Sequence, residues 1–345
     1  HHREMSLSAH PPGGNWCGEL WRAWFNLTLI IFSVLFVAAT SVISLLLRLG
    51  VLDKPTANSA VISSASLSYR GMFFCNPQIR LVYPSGPINW ESQLATDAPG
   101  LMILMNHTSF LDVFMFTSIC SPTMITKYSL RTMMAAGLFK IPLLGWAMGK
   151  MSGSFAVFFK AKGGLTGGES SDFGVDREAQ EKESANIQKH LASGGGIAVC
   201  PEGTVSKSPP HLQTFRKGAF TYATKYGMRV AAVTMLGCYD CWPKRFIFGG
   251  YPCTIYLTAI DLFTASPEQE AATVADEARV LMQAELERLL ALKEADQAKG
   301  FLCLANRGFS LTLLCGCFPA LFSSAWWTFA PFAIKPKASG QADLV

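Results

Sequence analysis

His107 and Asp112 stand five residues apart in Leu101-Met-Ile-Leu-Met-Asn-His-Thr-Ser-Phe-Leu-Asp112, one of the most apolar stretches of the chain. A neutral imidazole with one ring nitrogen held by a carboxylate can take a proton from a hydroxyl with the other. The carboxylate fixes the tautomer and stabilises the imidazolium that forms, so the hydroxyl becomes a nucleophile at neutral pH. The apolar run reads as a buried strand and the polar residues as its carboxyl end. A helix is predicted to start near Ser109, which lets a His before the helix meet an Asp in its first turn. The same residues also fit a purely structural role: Ser109 and Asp112 have the spacing of a capping box, and their side chains would then satisfy amides at the helix start.

A second polar group follows another apolar run. Pro201-Glu202-Gly203-Thr204 comes straight after Ile197–Cys200, and Phe215-Arg216-Lys217-Gly218 lies a little further on. Glycine lets the backbone approach a ligand closely, Thr204 and neighbouring amides can donate to phosphate oxygens, and Arg216 with Lys217 supplies positive charge. Basic residues opening a helix oppose its dipole unless an anion is close, which favours a phosphate site over a plain turn.

The elements that must position these groups read as α/β. Candidate strands are Leu101–Met105, Phe155–Phe159, Ile197–Cys200, Val230–Met235 and Thr254–Leu257, short and apolar as strands buried on both faces are. Helical stretches lie between them, which predicts a mostly parallel central sheet flanked by helices, with both polar groups at strand ends where open sheets place their ligands. Residues 175–192 read as a polar, exposed helix after a Gly- and Ser-rich loop. Residues 266–300 read as an amphipathic helix with Val274, Ala278, Leu281, Met282, Leu286 and Leu289 near one stripe, packed on the sheet or lying along a membrane.

Half the residues are hydrophobic and only 15% are charged, too apolar a balance for an ordinary soluble domain and too polar for a bundle of membrane spans. Phe25 to Leu47 carries no charge and is long enough to cross a hydrocarbon core of roughly 30 Å as a helix. Trp21, Arg22 and Trp24 stand at one end and Arg48 and Lys54 at the other, like interfacial anchors. Gly308 to Ile334 is a second uncharged run, and its Pro319 and Pro331 predict a kinked, tilted or re-entrant segment. The expected organisation is a disordered tail over 1–23, a transmembrane anchor over 24–49, the α/β domain over 69–265, the amphipathic helix over 266–300 and a membrane-associated segment and tail over 301–345.

Ten cysteines spread over the whole chain favour reduced thiols in a cytosol-facing protein. Cys238 and Cys241 form one CxxC, which without a second pair or a His pair does not make a zinc site. The net charge of +5 is mild and no basic run is interleaved with aromatics, so a nucleic-acid partner is not expected.

Together, Asn106-His107-Thr-Ser-Phe-Leu-Asp112, Pro201-Glu202-Gly203-Thr204 and Phe215-Arg216-Lys217-Gly218-Ala219-Phe220 resemble the 1-acylglycerol-3-phosphate acyltransferase family, with its NHxxxxD box, EGT box and basic-Gly segment in the same order. The resemblance covers roughly Leu101 to Met235, and Ile141 to Trp146 is similar to a further family segment. It implies that the hydroxyl of lysophosphatidic acid attacks the thioester of acyl-CoA, a co-substrate, giving phosphatidic acid with no cofactor, no metal and no covalent acyl-enzyme. His107 is then the general base, Asp112 orients it, and Glu202, Gly203, Thr204, Arg216 and Lys217 hold the acceptor's phosphate. Membrane lipids are the implied surroundings, with a cytosol-facing site on the endoplasmic reticulum expected and a plastid or other organelle as the alternative. The chain departs from the family pattern in three places. Val205 stands where Arg often follows EGT, Lys160 or Lys162 replaces an expected Arg, and Val230-Ala-Ala-Val233 replaces a proline-containing strand. These departures leave glycerol 3-phosphate or a larger lysophospholipid open as acceptor. A catalytically inactive scaffold is the alternative from another class, and a serine hydrolase is disfavoured because no GxSxG occurs.

Overall fold

The computed structural model describes residues 16–86, 88, 90, 99–160, 174–206 and 208–298. Residues 299–345, and with them the Gly308–Ile334 run, lie outside the described residues. Seven strands make the main sheet: β1 (Ile79–Val82), β2 (Leu101–Met105), β3 (Arg131–Ala135), β4 (Phe155–Val157), β7 (Gly196–Val199), β8 (Arg229–Leu236) and β9 (Cys253–Thr264). β5 (Phe159–Lys160) and β6 (Gly174–Val175) pair antiparallel as a separate two-stranded ribbon. The order across the sheet is β1-β9-β8-β2-β7-β3-β4. The five strands β8, β2, β7, β3 and β4 run parallel, whereas β9 is antiparallel to β8 and takes β1 with it. The sheet is therefore mostly parallel with a reversed edge.

β2 is the centre of the sheet. Leu104 pairs with Val199 of β7 and Met105 with Val233 of β8, and all five β2 residues are buried. Parallel strands end on the same edge of the sheet, and neighbours lie about 4.8 Å apart. The polar residues following β2 and β7 are thus brought side by side by strand register alone.

The N-terminal helix α1 (Trp16–Arg48) contains the Phe25–Leu47 run and begins inside the stretch expected to be a tail. It has the length and apolarity to cross a membrane. A second helix, α2 (Lys54–Phe74), was missed, and the domain boundary expected at residue 69 falls within it. Its start is nevertheless written in the sequence: Asp53 caps it by accepting the Thr56 amide at 2.8 Å, and Pro55 occupies the first turn. α2 packs between α1 and α3 (Leu111–Ile119), the helix after His107. On one side Asn76 donates to Thr28 Oγ1 at 2.8 Å and Gly71 sits against the Phe32 ring. On the other, Ser66 Oγ donates to the Cys120 carbonyl, and Arg70 donates through Nε to Ser118 O and through Nη2 to Cys120 O. That guanidinium closes the carbonyl end of α3, where positive charge also complements the helix dipole.

Several further elements differ from the sequence-based expectation. α3 begins two residues later than predicted. A short helix, α4 (Pro122–Lys127), follows it, started by Ser121, whose Oγ accepts the Met124 amide at 3.2 Å. The polar helix appears as α5 (Arg177–Ala192), and Ile187 and Leu191 anchor it in the core. After β7 comes α6 (Lys217–Lys225), and the CxxC forms the single turn α7 (Cys238–Cys241) with both thiols buried. α8 (Ala271–Ala298) packs on the sheet through Val274, Ala278, Met282, Leu286 and Leu289, while Leu281, expected on that stripe, is exposed. β9 runs on to Thr264 because its second half continues the ladder with β8, from Leu257 opposite Met235 to Thr264 opposite Arg229. β1 and β3 were not foreseen, since their residues are mostly half-buried and show no clean alternation.

Candidate active site

The dyad is assembled at the end of β2. His107 Nδ1 lies 3.3 Å from Asp112 Oδ2, with the His side chain 17% exposed and the Asp fully buried. The same oxygen accepts the Thr108 amide at 2.5 Å and the Ser109 amide at 2.8 Å. A carboxylate can only accept, so Nδ1 carries the proton and Nε2 is left as the base. The capping and orienting roles are therefore both met by one side chain. Asp112 holds the turn that leads into α3 and, through the same oxygen, the ring of His107. Ser109 Oγ takes the remaining part of the cap by accepting from the Leu111 amide at 3.1 Å while donating to the Trp242 carbonyl at 2.8 Å.

His107 is held by its backbone as well. Its N–H donates to Glu202 Oε1 at 2.9 Å, and its carbonyl accepts from the Ser206 amide at 2.6 Å. The other Glu202 oxygen accepts the Gln213 amide at 3.0 Å. Glu202 is fully buried, and both its oxygens are committed to backbone amides. Its geometry suits clamping the loop after β7 onto the loop after β2, in place of the phosphate contact expected from sequence. Burial pushes its carboxyl up to about 7, against the opposing pull of the Gln213 and His107 amides.

Asn106, one residue before the dyad and part of the same box, was given no role of its own from sequence. Its side-chain amide accepts from the Met235 N–H and donates to the Met235 carbonyl, both at 2.8 Å. The side chain thus copies a strand residue and carries the β2–β8 ladder one step further, which fixes where the chain leaves the sheet. Trp242 was also missed, because its contribution is a backbone carbonyl that no residue pattern signals.

Gly203 adopts φ +71°, and a Cβ there would lie 2.4 Å from Arg216 Nε and 2.7 Å from its Cδ. Glycine is required so that the Arg216 stem can cross the loop. The Arg216 backbone amide donates to the Pro201 carbonyl at 2.8 Å, tying the start of α6 to the same loop. Burial pulls the Arg216 guanidinium below the ordinary arginine range. Thr204 is half-buried beside Gly203, and Lys217 is exposed as the first residue of α6. Lys160 belongs to β5, opposite Gly174 in the separate ribbon, and Lys162 lies outside the described residues.

Cys200 and Cys238 are near neighbours of the dyad. Burial, reinforced by the Asp112 carboxylate, raises both thiols well above their ordinary range, and Glu202 adds to this at Cys200. Protonated thiols beside carboxylates are poor nucleophiles at neutral pH.

Asp112→Asn separates the two roles of the carboxylate. The Asn carbonyl can keep the position of Oδ2 and accept from the same three donors, so the fold should survive with little change in melting temperature. The charge that stabilises the imidazolium is lost, and turnover should fall by at least about 10²-fold. Asp112→Ala should also destabilise, by about 1–3 kcal/mol, because buried amides lose their acceptor. Thermal melts and turnover of the two variants in parallel check this; equal losses of stability would reduce Asp112 to a cap.

A His–Asp pair thus stands at the end of the central strand of an α/β sheet, with a buried Glu from the loop after the neighbouring strand bonded to the backbone of the His. Residues 88–236 match the Acyltransferase family model. Over 159 residues the chain is 31% identical to the chloroplastic 1-acyl-sn-glycerol-3-phosphate acyltransferase of Arabidopsis thaliana, covering 45% of this chain and 38% of that protein. A chloroplastic enzyme of the same description from Brassica napus is 30% identical over 147 residues, covering 43% and 36%. The chain spans well under half the length of these curated relatives. Among solved structures, the 1-acyl-sn-glycerophosphate (LPA) acyltransferase of Thermotoga maritima matches with a TM-score of 0.55 and 21% identity, over 80% of this chain and 97% of that one, which establishes the shared fold. Over the matched residues the chain is thus similar to an Acyltransferase domain and to 1-acyl-sn-glycerol-3-phosphate acyltransferases.

Proposed function

We propose that the protein transfers an acyl group from acyl-CoA to the free hydroxyl of 1-acyl-glycerol-3-phosphate, giving phosphatidic acid for phospholipid synthesis. The observation that carries this is the His107–Asp112 pair at the end of β2, with Nδ1 turned to the carboxylate and Nε2 left to act as base. Nε2 takes the acceptor's hydroxyl proton as its oxygen attacks the thioester carbon. The tetrahedral intermediate then collapses with expulsion of the CoA thiolate, which recovers the proton from the imidazolium. A thioester is already activated, so direct attack suffices and neither a cofactor nor an acyl-enzyme is called for. Glu202 acts through the His107 backbone, and Gly203 lets Arg216 lie across the loop. Arg216 and Lys217, with Thr204 beside them, supply the charge and donors for the acceptor's phosphate.

Membrane attachment is assigned to the exposed face of α1. Phe25, Thr28, Phe36 and Thr40 are buried, whereas Leu27, Ile30, Val34, Leu35, Val42 and Leu45 are exposed. Because α1 is docked along α2, crossing the bilayer would draw α2, with Lys54, Arg70 and its many serines, into hydrocarbon. That favours a helix lying along the membrane with its apolar face in lipid, although its length and apolarity also suit the span expected from sequence. The chloroplastic relatives favour a plastid membrane over the endoplasmic reticulum. Imaging of the tagged protein tests that setting, and reticular staining would count against it.

Membranes containing the protein, given labelled oleoyl-CoA with lysophosphatidic acid, glycerol 3-phosphate or lysophosphatidylcholine, test the reaction. Product from lysophosphatidic acid alone supports the acceptor assignment. Product from another acceptor keeps the chemistry and moves the headgroup, which Val205 in place of a cation makes the second reading; no product from any overturns the proposal. Arg216→Ala should raise the apparent KM for lysophosphatidic acid about tenfold with kcat little changed, as loss of a uniformly binding phosphate contact does. An unchanged KM would remove Arg216 from the binding site.

A further inference from the structure

We propose that residues 243–250, the loop between β8 and β9, insert into the surface of an anionic phospholipid bilayer beside the active site. Ile247 is 83% exposed and Phe248 is 55% exposed at the tip of this loop. Two large apolar side chains in sequence, held out from a well-packed region, mark an interaction surface.

The loop is built to present them. A Cβ on Gly249 would lie 2.3 Å from the Trp242 ring, and one on Gly250, at φ +114°, would lie 2.4 Å from Phe25. The two glycines let the chain press onto those side chains, so the segment before them is turned outward. Asn26 Nδ2 donates to the Gly249 carbonyl at 3.0 Å, and Arg22 Nη1 donates to Tyr251 Oη at 3.0 Å, which fastens the loop to α1. Asn26 lies one turn before Ile30 on the helix surface, and Ile30 belongs to the exposed apolar face. The loop tip therefore borders the face assigned to lipid. Arg245, exposed two residues before the apolar pair, adds positive charge of the kind that favours anionic headgroups.

The other side of the loop reaches the dyad. Lys244 Nζ donates to the Val205 carbonyl at 3.0 Å, and the Trp242 carbonyl accepts from Ser109 Oγ. Phe110, 40% exposed, lies 6.1 Å ring to ring from Trp242. Seating Ile247 and Phe248 in the headgroup region would place the loops carrying His107 and Thr204 at the level from which a lipid acceptor enters. This coupling to turnover rests on the acyl-transfer reading, whereas insertion itself does not.

The test uses the full chain reconstituted in phosphatidylcholine vesicles with and without phosphatidylglycerol. An environment-sensitive fluorescent amino acid replaces Phe248, or Glu268 on the loop after β9 at the opposite end of the sheet. Quenching by lipids brominated near the headgroup end of the acyl chain is expected at 248, stronger with phosphatidylglycerol, and not at 268. The double variant Ile247→Asp/Phe248→Asp should lower turnover of vesicle-borne lysophosphatidic acid by about tenfold while leaving turnover in detergent micelles unchanged, the polar side chains disfavouring the interface. A 248 probe that is unquenched, or whose emission shifts with protein concentration in detergent as burial by a second copy would cause, overturns the proposal. So does an equal activity loss in vesicles and micelles. Absence of transfer by the unaltered chain in both formats, with the 248 probe quenched, would instead sink the catalytic reading and leave the insertion standing.

Discussion

His107→Ala is expected to lower the proposed acyl transfer by about 10²–10⁴-fold, the contribution of a positioned general base, while the protein should stay with the membrane fraction and melt within a few degrees of the unaltered chain. The small structural effect follows from how the residue is held. Its backbone N–H and carbonyl, bonded to Glu202 and Ser206, survive the substitution, and the Asp112 carboxylate keeps the Thr108 and Ser109 amides as donors. Only the ring is lost, and with it the 3.3 Å contact to Asp112. Turnover measured on membranes with saturating acyl-CoA, beside a melting curve in detergent, decides the matter. A variant that keeps more than about a tenth of the turnover would remove the base role and revive the inactive-scaffold reading.

The dyad was legible from sequence because strand ends advertise themselves: a continuous apolar run that stops at Asn106-His107, and another that stops at Pro201-Glu202. Register then does the rest, since β2 and β7 are neighbours and parallel. What the sequence conceals is the role of each polar atom. Glu202 looks like a ligand for a phosphate because it is a polar residue beside glycine and threonine, yet its oxygens face two backbone amides whose positions depend on the fold of residues far along the chain. α2 was hidden for a different reason. It is flanked by α1 and α3, and its serines and alanines let those helices approach closely, so it lacks the apolar stripe by which a one-sided helix is recognised. α1 was read correctly as an apolar run, but its docking on α2 through Thr28 and Phe36 cannot be seen in hydropathy.

Glu202→Gln tests whether the loop clamp is needed for catalysis. The carboxylate accepts one amide with each oxygen, so a carboxamide must turn its NH2 toward one of the two N–H groups. A buried donor left without an acceptor costs about 1–3 kcal/mol, and a displacement of His107 of about 1 Å can cost about 10²-fold in rate. Lower turnover with a modest fall in melting temperature is therefore expected, because both Glu202 oxygens hold backbone amides. The pH dependence gives the test its second readout. Folding raises this carboxyl from an ordinary 4.5 to about 7, so the folded protein holds the proton more tightly than the unfolded chain does. By linkage, this group's contribution to stability is fully present below the unfolded value and is lost as pH rises to about 7. The carboxamide of the variant does not titrate, so the gap in melting temperature between the two proteins should narrow from acid to neutral pH and level off above about 7. A gap that stays constant across this range would mean that Glu202 is not protonated on folding, and unchanged turnover would mean that the clamp does not position His107.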